Sequence, residues 1–387
     1  MAEYQRLDEL CHINMGQSPD STSYNQVGEG IPFFQGNADF GTIHPVTRVW
    51  CNAPTKIVET GTLLISVRAP IGALNFATEQ SCIGRGLAGI TPKNDINLKY
   101  IYYCLKSKTN ELNAKGTGST FKAIAKKALG ETSVKVVPSA DQAKIVEILD
   151  KTCSVIEARK QQLAELDNLI KARFVEMFGD PVQNPLGWPT RPLLEMGYCK
   201  NGMNFHTGDS GVELHCLGVG DFKDNSVING TDYLPTVSLN EAPPEESMLQ
   251  DGDIVFVRSN GNKALVGRCL VIYPRNTPTT YSGFCIRYRL TSSEVNTIYL
   301  LRVLKTDSMR KRMAGRGANI QNLNQQILAT LDIPLPPMEL QEQFAAFVEQ
   351  VDKSKVVEAI HKTNTLFNTT LNGGNRYDIR ANEYKTK

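Results

Sequence analysis

The sequence has few of the residues that usually announce chemistry. Five histidines, His12, His44, His206, His215 and His361, stand at no metal-ligand spacing and pair with no recognisable nucleophile. Nine cysteines are scattered singly, the count is odd, and no C-x-x-C pair occurs. That argues against both a disulfide framework and a cysteine zinc site. No run approaches the ~18 apolar residues of a membrane span. The N-terminus, MAEYQRLDEL, lacks an apolar signal core, so a reducing cytoplasm is expected. Charge of one sign is also missing: 42 basic residues face 40 acidic ones. A uniformly polybasic protein is excluded, and any nucleic-acid surface must be local or shared with a partner.

Catalytic motifs are equally thin. The glycines of GVG (218–220) and GRG (84–86) lack the strand–helix setting of a dinucleotide or P-loop site. NPLG (184–187) resembles in part the Asn-Pro-Pro-aromatic motif of amino-methyltransferases, without the second proline or the aromatic. Asp221 and Lys223 have the Asp-x-Lys spacing of some metal nucleases, but no partner acid stands in a convincing place.

What the chain does have is length and self-similarity. Its 387 residues, 41% hydrophobic and 21% charged, suffice for two or three domains with real cores. Shifted by 199 positions, 97–142 lies over 296–341 without a gap. Asn97, Tyr100, Gly116, Pro138 and Gln142 fall on Asn296, Tyr299, Gly315, Pro337 and Gln341. Upstream the offset is smaller: SVRAPIG (66–72) lies over FVRSNGN (256–262), placing Arg68 on Arg258. Leu7, Leu10 and Gly16 lie over Leu193, Met196 and Gly202.

Each copy ends alike. SVKVVPSADQAKI (133–145) and DIPLPPMELQEQF (332–344) read as strands stopped by proline and running into helices. The first helix should cover roughly 139–178, with Ser139 as N-cap, Gln142 three residues on, and Gly179 as the stop. Leu149, Ile156, Leu163, Ile170 and Met177 recur every seven residues, a coiled-coil seam. At about 1.5 Å per residue, such a helix is ~60 Å long. A second should run from about Met338 to Leu371, with Phe344, Phe347, Val348, Val351, Val356, Ile360 and Phe367 as its stripe. Two such helices can bury their stripes on each other. FGDPVQNPLGWP after the first is a hinge.

Within each copy, GTLLISVRA and GDIVFVRSN read as buried strands ending in an arginine. LKYIYYCLKS and TIYLLRVLKT read as amphipathic helices. Polar loops follow, AKGTGSTFKAI (114–124) and AGRGANIQNL (314–323). Glycine permits close approach, lysine and arginine neutralise phosphate, and Ser, Thr, Asn and Gln can bond phosphates or base edges. The candidate DNA-binding residues are Arg68, Arg85, Lys115, Ser119, Thr120 and Lys122 in the first copy. In the second they are Arg258, Asn260, Lys263, Arg316, Asn319 and Gln321.

LISVRAPIGALN with SCIGRGLAGI, the GTGSTFKAI loop with its proline exit, RFVEMFGDPVQNPLGWP and IPLPPMELQEQF together resemble the specificity (S, or HsdS) subunits of type I restriction–modification systems. The resemblance runs over almost the whole chain. It implies an α+β fold of two similar α/β target-recognition domains, separated by two long antiparallel helices forming a coiled-coil scaffold, with an internal pseudo-two-fold repeat. The expected organisation is recognition domain 1 at 1–138, a conserved spacer helix at 139–180, recognition domain 2 at 181–337, a second spacer helix at 338–372 and a polar tail at 373–387. Each domain would read half of a split target in double-stranded DNA. The implied partners are two modification subunits, which transfer methyl groups from S-adenosylmethionine to adenine, and restriction subunits using ATP and Mg. This chain would carry no catalytic residue, metal or cofactor of its own. Other readings of the residues are a stand-alone duplicated DNA-binding protein, or a methyltransferase or nuclease with divergent motifs. The second copy departs from the first in VRSNGNKALVG and in FNTTLNGGNRYDI, with which its helix ends, so unequal half-sites and unequal scaffold ends are expected.

Overall fold

The computed structural model describes residues 3–118, 122–205, 208, 210–222, 225–314 and 322–372, with the backbone alone for 3, 314 and 356–372. Contacts divide the mixed α/β chain into two units, Met1–Ala158 and Arg159–Lys387. The cut falls inside the 40-residue helix Ser139–Phe178 rather than at either end of it. No helix among the described residues is long and apolar enough to cross a membrane.

In the first unit the opening strand Glu3–Arg6 pairs antiparallel with Ser133–Val136, the strand that leads out. A four-stranded sheet takes the order Cys11–Met15, Leu87–Pro92, Leu63–Ser66, Leu74–Phe76. Ile31–Phe34 and Ser81–Ile83 make a parallel pair in a second sheet. Leu63–Ser66 is apolar at nearly every position because both its faces are covered. Leu63 and Ile65 enter one core, with Ile101, Leu105 and Leu129, while Leu64 enters another with Phe34 and Leu87.

The second unit repeats these internal relations. Thr190–Pro192 pairs antiparallel with Asp332–Pro334. Its five-stranded sheet begins Gly197–Asn201, Cys285–Leu290, Asp253–Val257, Cys269–Tyr273. Val212–Leu217 and Thr279–Tyr281 pair in parallel. Ile254 and Phe256 face one core, Val255 and Val257 another. The matched residues make matched bonds. The amides of Leu7 and Leu193 donate to the carbonyls of Thr132 and Leu331, at 2.9 and 2.8 Å. Gly16 and Gly202 lie so close to a neighbouring strand that a Cβ would stand 2.2 Å from the Gly84 oxygen and 2.1 Å from the Ser282 oxygen. No side chain fits there.

Both exits are fastened in one way. Asn97 and Asn296 cap the helices Leu98–Ser107 and Thr297–Lys305, accepting two backbone N–H bonds each. Their own N–H groups donate to the Oε1 atoms of Gln142 (2.9 Å) and Gln341 (2.8 Å). The Nε2 atoms of those glutamines donate to Val137 and Pro336 carbonyls, both at 2.8 Å. Tyr100 and Tyr299 hydroxyls donate to Lys135 and Pro334 carbonyls. Gln142 is therefore not half of a capping box, and Ser139 is not the N-cap. The Pro138 carbonyl accepts from the Gln142 amide at 3.0 Å, so the proline is the cap and Ser139 already lies in the helix. Pro337 does the same for Gln341.

The first long helix stops at Gly179, whose φ of 73° suits a glycine C-cap. Of the seven-residue seam, Ile170 is fully buried and Leu149, Ile156, Leu163 and Met177 are half-buried. Near the end, burial shifts onto Phe174 and Phe178, because a helix of 3.6 residues per turn drifts away from a 3.5-residue repeat. These phenylalanines pack edge-on against Phe344 of the 35-residue helix Met338–Asn372, with ring centroids 5.5 and 5.6 Å apart. Earlier in the first helix, Asp167 accepts from Lys355, later in the second, at 2.7 Å. Where they touch in this unit, the two helices run in opposite directions. Val356, Ile360 and Phe367 of the expected stripe lie outside the described side chains.

Candidate nucleic-acid interface

In the first unit three cations converge at one end of the sheet. The strand Leu63–Ser66 continues to Val67 and exposed Arg68. The returning loop closes against it: Ala69 donates to Lys122 O (3.0 Å) and Ile124 to Val67 O (2.9 Å). Reciprocal bonds between Thr117 and Ala123 pinch the loop's neck. From the other side, Val67 donates to Gly86 O, while Gly84 and Gly86 donate to Phe34 and Gln35 carbonyls. Arg85 is the exposed tip of that tight turn. Arg68, Arg85 and Lys122 are thus brought together, none of them ion-paired among the described residues.

Lys115 stands apart from them in charge. Its ammonium pairs with Glu111 at 2.7 Å, and Glu111 also pairs with Lys108 at 2.8 Å. Hydrogen bonds from Lys108 and then Lys115 hold the Glu111 carboxyl below its ordinary value.

The second unit builds the equivalent edge differently. Arg258 N donates to Phe284 O at 2.8 Å, and Leu323 N to Arg258 O at 2.8 Å. Those bonds match Val67 with Gly86 and Ile124, and bridges join Arg68 to Ala123 but Ser259 to Asn322. The placement of Arg68 on Arg258 is therefore corrected by one residue: Arg258 corresponds to Val67, and Ser259 to Arg68. In a strand, one residue is the opposite face. Arg258 is half-buried accordingly, its Nη1 reaching the Gly283 carbonyl at 3.4 Å. Asn260 accepts from the Asn262 amide, and Lys263 is exposed on the short turn Lys263–Leu265. Ser119, Thr120, Arg316, Asn319 and Gln321 lie outside the described residues.

Sequence reasoning missed Phe284, which is 59% exposed at the tip beside Arg258. Its only signal was its place between Gly283 and the strand. Also missed was a buried charge cluster on the sheet. Asp253 accepts from Arg289 through both oxygens at 2.8 Å and lies 3.8 Å from fully buried Arg287, whose guanidinium sits 5.0 Å from the Tyr198 ring centre.

The motifs suggesting catalysis are local turns. Asn184 clips Trp188, accepting from its amide (3.0 Å) and donating to its carbonyl (2.7 Å). Asp221 accepts from the Gly218 amide at 2.8 Å, and Lys223 lies outside the described residues. All nine cysteines are free, and burial pushes the Cys11, Cys199, Cys216 and Cys285 thiols up to about 12.

Comparison with known proteins gives these edges a context. The family model for the type I restriction modification DNA specificity domain matches residues 2–168 and 229–366. A Methanocaldococcus jannaschii protein, provisionally assigned as the MjaX type I restriction enzyme specificity subunit, is 40% identical over 165 residues, 42% of this chain. The aligned part is only 39% of that protein. The MjaIX type I restriction enzyme specificity subunit of the same organism is 22% identical over 377 residues, covering 90% of this chain and 86% of that one. The crystal structure of a type I restriction–modification S subunit from M. genitalium has the same overall fold, at 16% identity and a TM-score of 0.50 over 96% of this chain and 93% of that one.

Proposed function

The chain belongs to the type I restriction modification DNA specificity family, and from that premise we propose that it is the DNA-reading subunit of a type I restriction–modification complex. The reading rests on one observation. The family match falls in two segments, and each contains one strand-to-helix exit with its Asn–Gln fastening. The chain is then a duplicated reader. Residues 1–138 and 181–337 are recognition domains, and 139–180 and 338–372 are spacer helices forming an antiparallel coiled coil with near two-fold symmetry. Two recognition domains suit a bipartite duplex target. Two similar exits suit two copies of one modification subunit, with restriction subunits joining that core in the cytoplasm.

Arg68, Arg85 and Lys122 in the first domain, and Asn260 and Lys263 in the second, face the DNA, while Arg258, on the opposite face of its strand from the position that matches Arg68, braces that edge through the Gly283 carbonyl. Lys115, Ser119, Thr120, Arg316, Asn319 and Gln321 complete the set in or beside the loops. Phosphate contacts from the cations set position, and the amides and hydroxyls offer base-edge readout. Methyl transfer belongs to the partner that binds S-adenosylmethionine, and cleavage to the partner using ATP and Mg. The test is methylation by the purified chain with and without its modification subunit, followed by methylome sequencing of the host. A split adenine-methylated target is expected, with no transfer by the chain alone. Methyl transfer by the isolated chain would overturn the reading.

A further inference from the structure

In the second unit a cavity of about 630 Å³ lies between the last turns of the first long helix, Ser226, the segment 267–269 and the helices Thr297–Lys305 and Asp307–Ala314. Five cations line it, Lys171, Arg268, Arg302, Lys305 and Arg310, against three carboxylates, Asp167, Asp180 and Asp307. Two of these carboxylates are already engaged. Asp167 pairs with Lys355, and Asp180 accepts from the Val182 and Gln183 amides. Arg310 is anchored to the carbonyls of Ala264 and Val266 at 3.0 and 3.3 Å.

Arg302 is chemically unfinished. It is 8% exposed, and its Nε has no hydrogen-bond partner among the described residues. Lys305 donates to Ser226 Oγ at 2.6 Å, a hydroxyl rather than a counter-charge. Burial lowers the pKa of both groups. Asp167 and Asp352 favour the charged form of Arg302, and Asp167 that of Lys305, but both carboxylates are ion-paired to Lys355 and no described carboxylate pairs directly with either cation. A buried cation so incompletely paired is costly to keep, and a bound anion lowers that cost.

We propose that this cavity binds a phosphate group carried by a small molecule, with Arg302 and Lys305 as its principal ligands. A guanidinium fork, an ammonium and the adjacent Ser226 hydroxyl offer donors from several sides, which suits a tetrahedral anion with several oxygens. The volume lies within the ~300–1,000 Å³ of small-molecule pockets. Phe174 and Phe222, each 3% exposed, supply apolar wall. The backbone of a duplex is a poor fit for so enclosed a guanidinium.

Calorimetric titration and thermal unfolding of the full chain, with inorganic phosphate, pyrophosphate and AMP against chloride at matched ionic strength, test the proposal. Saturable binding of at least one probe is expected. At about 100 times its Kd, that probe should raise the folded-to-unfolded ratio about a hundredfold. Arg302→Met and Lys305→Met should each weaken binding roughly tenfold or more, the size of a lost charge-assisted hydrogen bond. Arg302→Met removes an incompletely paired charge, so its stability without ligand should hold or rise. Lys305→Met is the second variant should the first fold poorly. Wild-type protein that binds none of the three probes, or variants that bind as tightly as wild type, would overturn the proposal. So would variants that lose affinity only for duplex DNA, which would assign these cations to the nucleic-acid face. DNA reading itself is scored by methylation, so either claim can fail without the other.

Discussion

Asp253 is the buried carboxylate on which two arginines converge, and it is 1% exposed. Removing it leaves Arg289 without its bidentate partner and Arg287 without its nearest negative charge. Breaking a buried pair from one side typically costs about 3–5 kcal/mol. Asp253→Ala is expected to destabilise the second unit by roughly that amount in urea unfolding. Arg287→Met should cost far less, because the Nε and Nη1 of Arg287 already lack hydrogen-bond partners. Equal losses in the two variants would show that packing, not charge, holds the sheet there. On the proposed DNA face the relevant quantity is salt dependence. Neutralising Arg68, Arg85 or Lys122 should each reduce the slope of log K against log salt by about 0.9 if each meets one phosphate. Lys115, already paired with Glu111, should move the slope less. Unchanged affinity and slope in the triple variant of the assembled complex would place the DNA face elsewhere.

At the scale of elements, the Asn–Gln fastening ties the first turn of each long helix to the N-terminus of the shorter helix capped by Asn97 or Asn296. Gln142 is 3% exposed and Gln341 fully buried, so truncation of either strands a partly buried amide and a carbonyl that is partly buried at Val137 and buried at Pro336. Gln142→Ala and Gln341→Ala should each cost about 1–3 kcal/mol per group left unsatisfied, with comparable losses of amide-exchange protection at Tyr100 and Tyr299. A large loss in one and none in the other would mean that shared geometry does not carry shared energy. Such elements were legible in sequence because the contact demands one residue type: Asn, Tyr and Gln recur where their bonds recur. The Ser139 cap was misread because the preceding proline carbonyl already accepts the first helical bond. The one-residue offset between Arg68 and Arg258 was hidden because both strands read Val-Arg. Register there is set by the neighbouring turn, where Gly86 is replaced by Phe284. Lys115–Glu111, exposed Phe284 and the cationic cavity depend on side-chain placement across segments distant in sequence. No periodicity records that.

At the scale of the whole molecule, the proposed scaffold should act as a ruler. The helix Ser139–Phe178 has residues in both units, and its seam from Leu149 to Met177 repeats every seven residues. Inserting seven residues into it therefore preserves the packed face, and adds ~10 Å at about 1.5 Å per residue. Met338–Asn372 must receive a matching insertion, because antiparallel partners lengthened on one side lose register beyond contacts such as Asp167–Lys355. Each recognition domain keeps its own loops, so both half-sites should be retained in the methylated target. The gap between them should lengthen by about three base pairs, at ~3.4 Å per pair. Twist opposes the full gain: with ~10.5 pairs per turn, three extra pairs rotate the second half-site by about 100°. Distortion of the DNA can absorb part of that rotation, at an energetic cost, which makes one or two added pairs the smaller expected outcome. Methylome sequencing of a host carrying the doubly extended subunit reads the result directly. Unchanged half-sites with a longer gap are expected; altered half-site bases across an unchanged gap would show that the helices do not set the spacing.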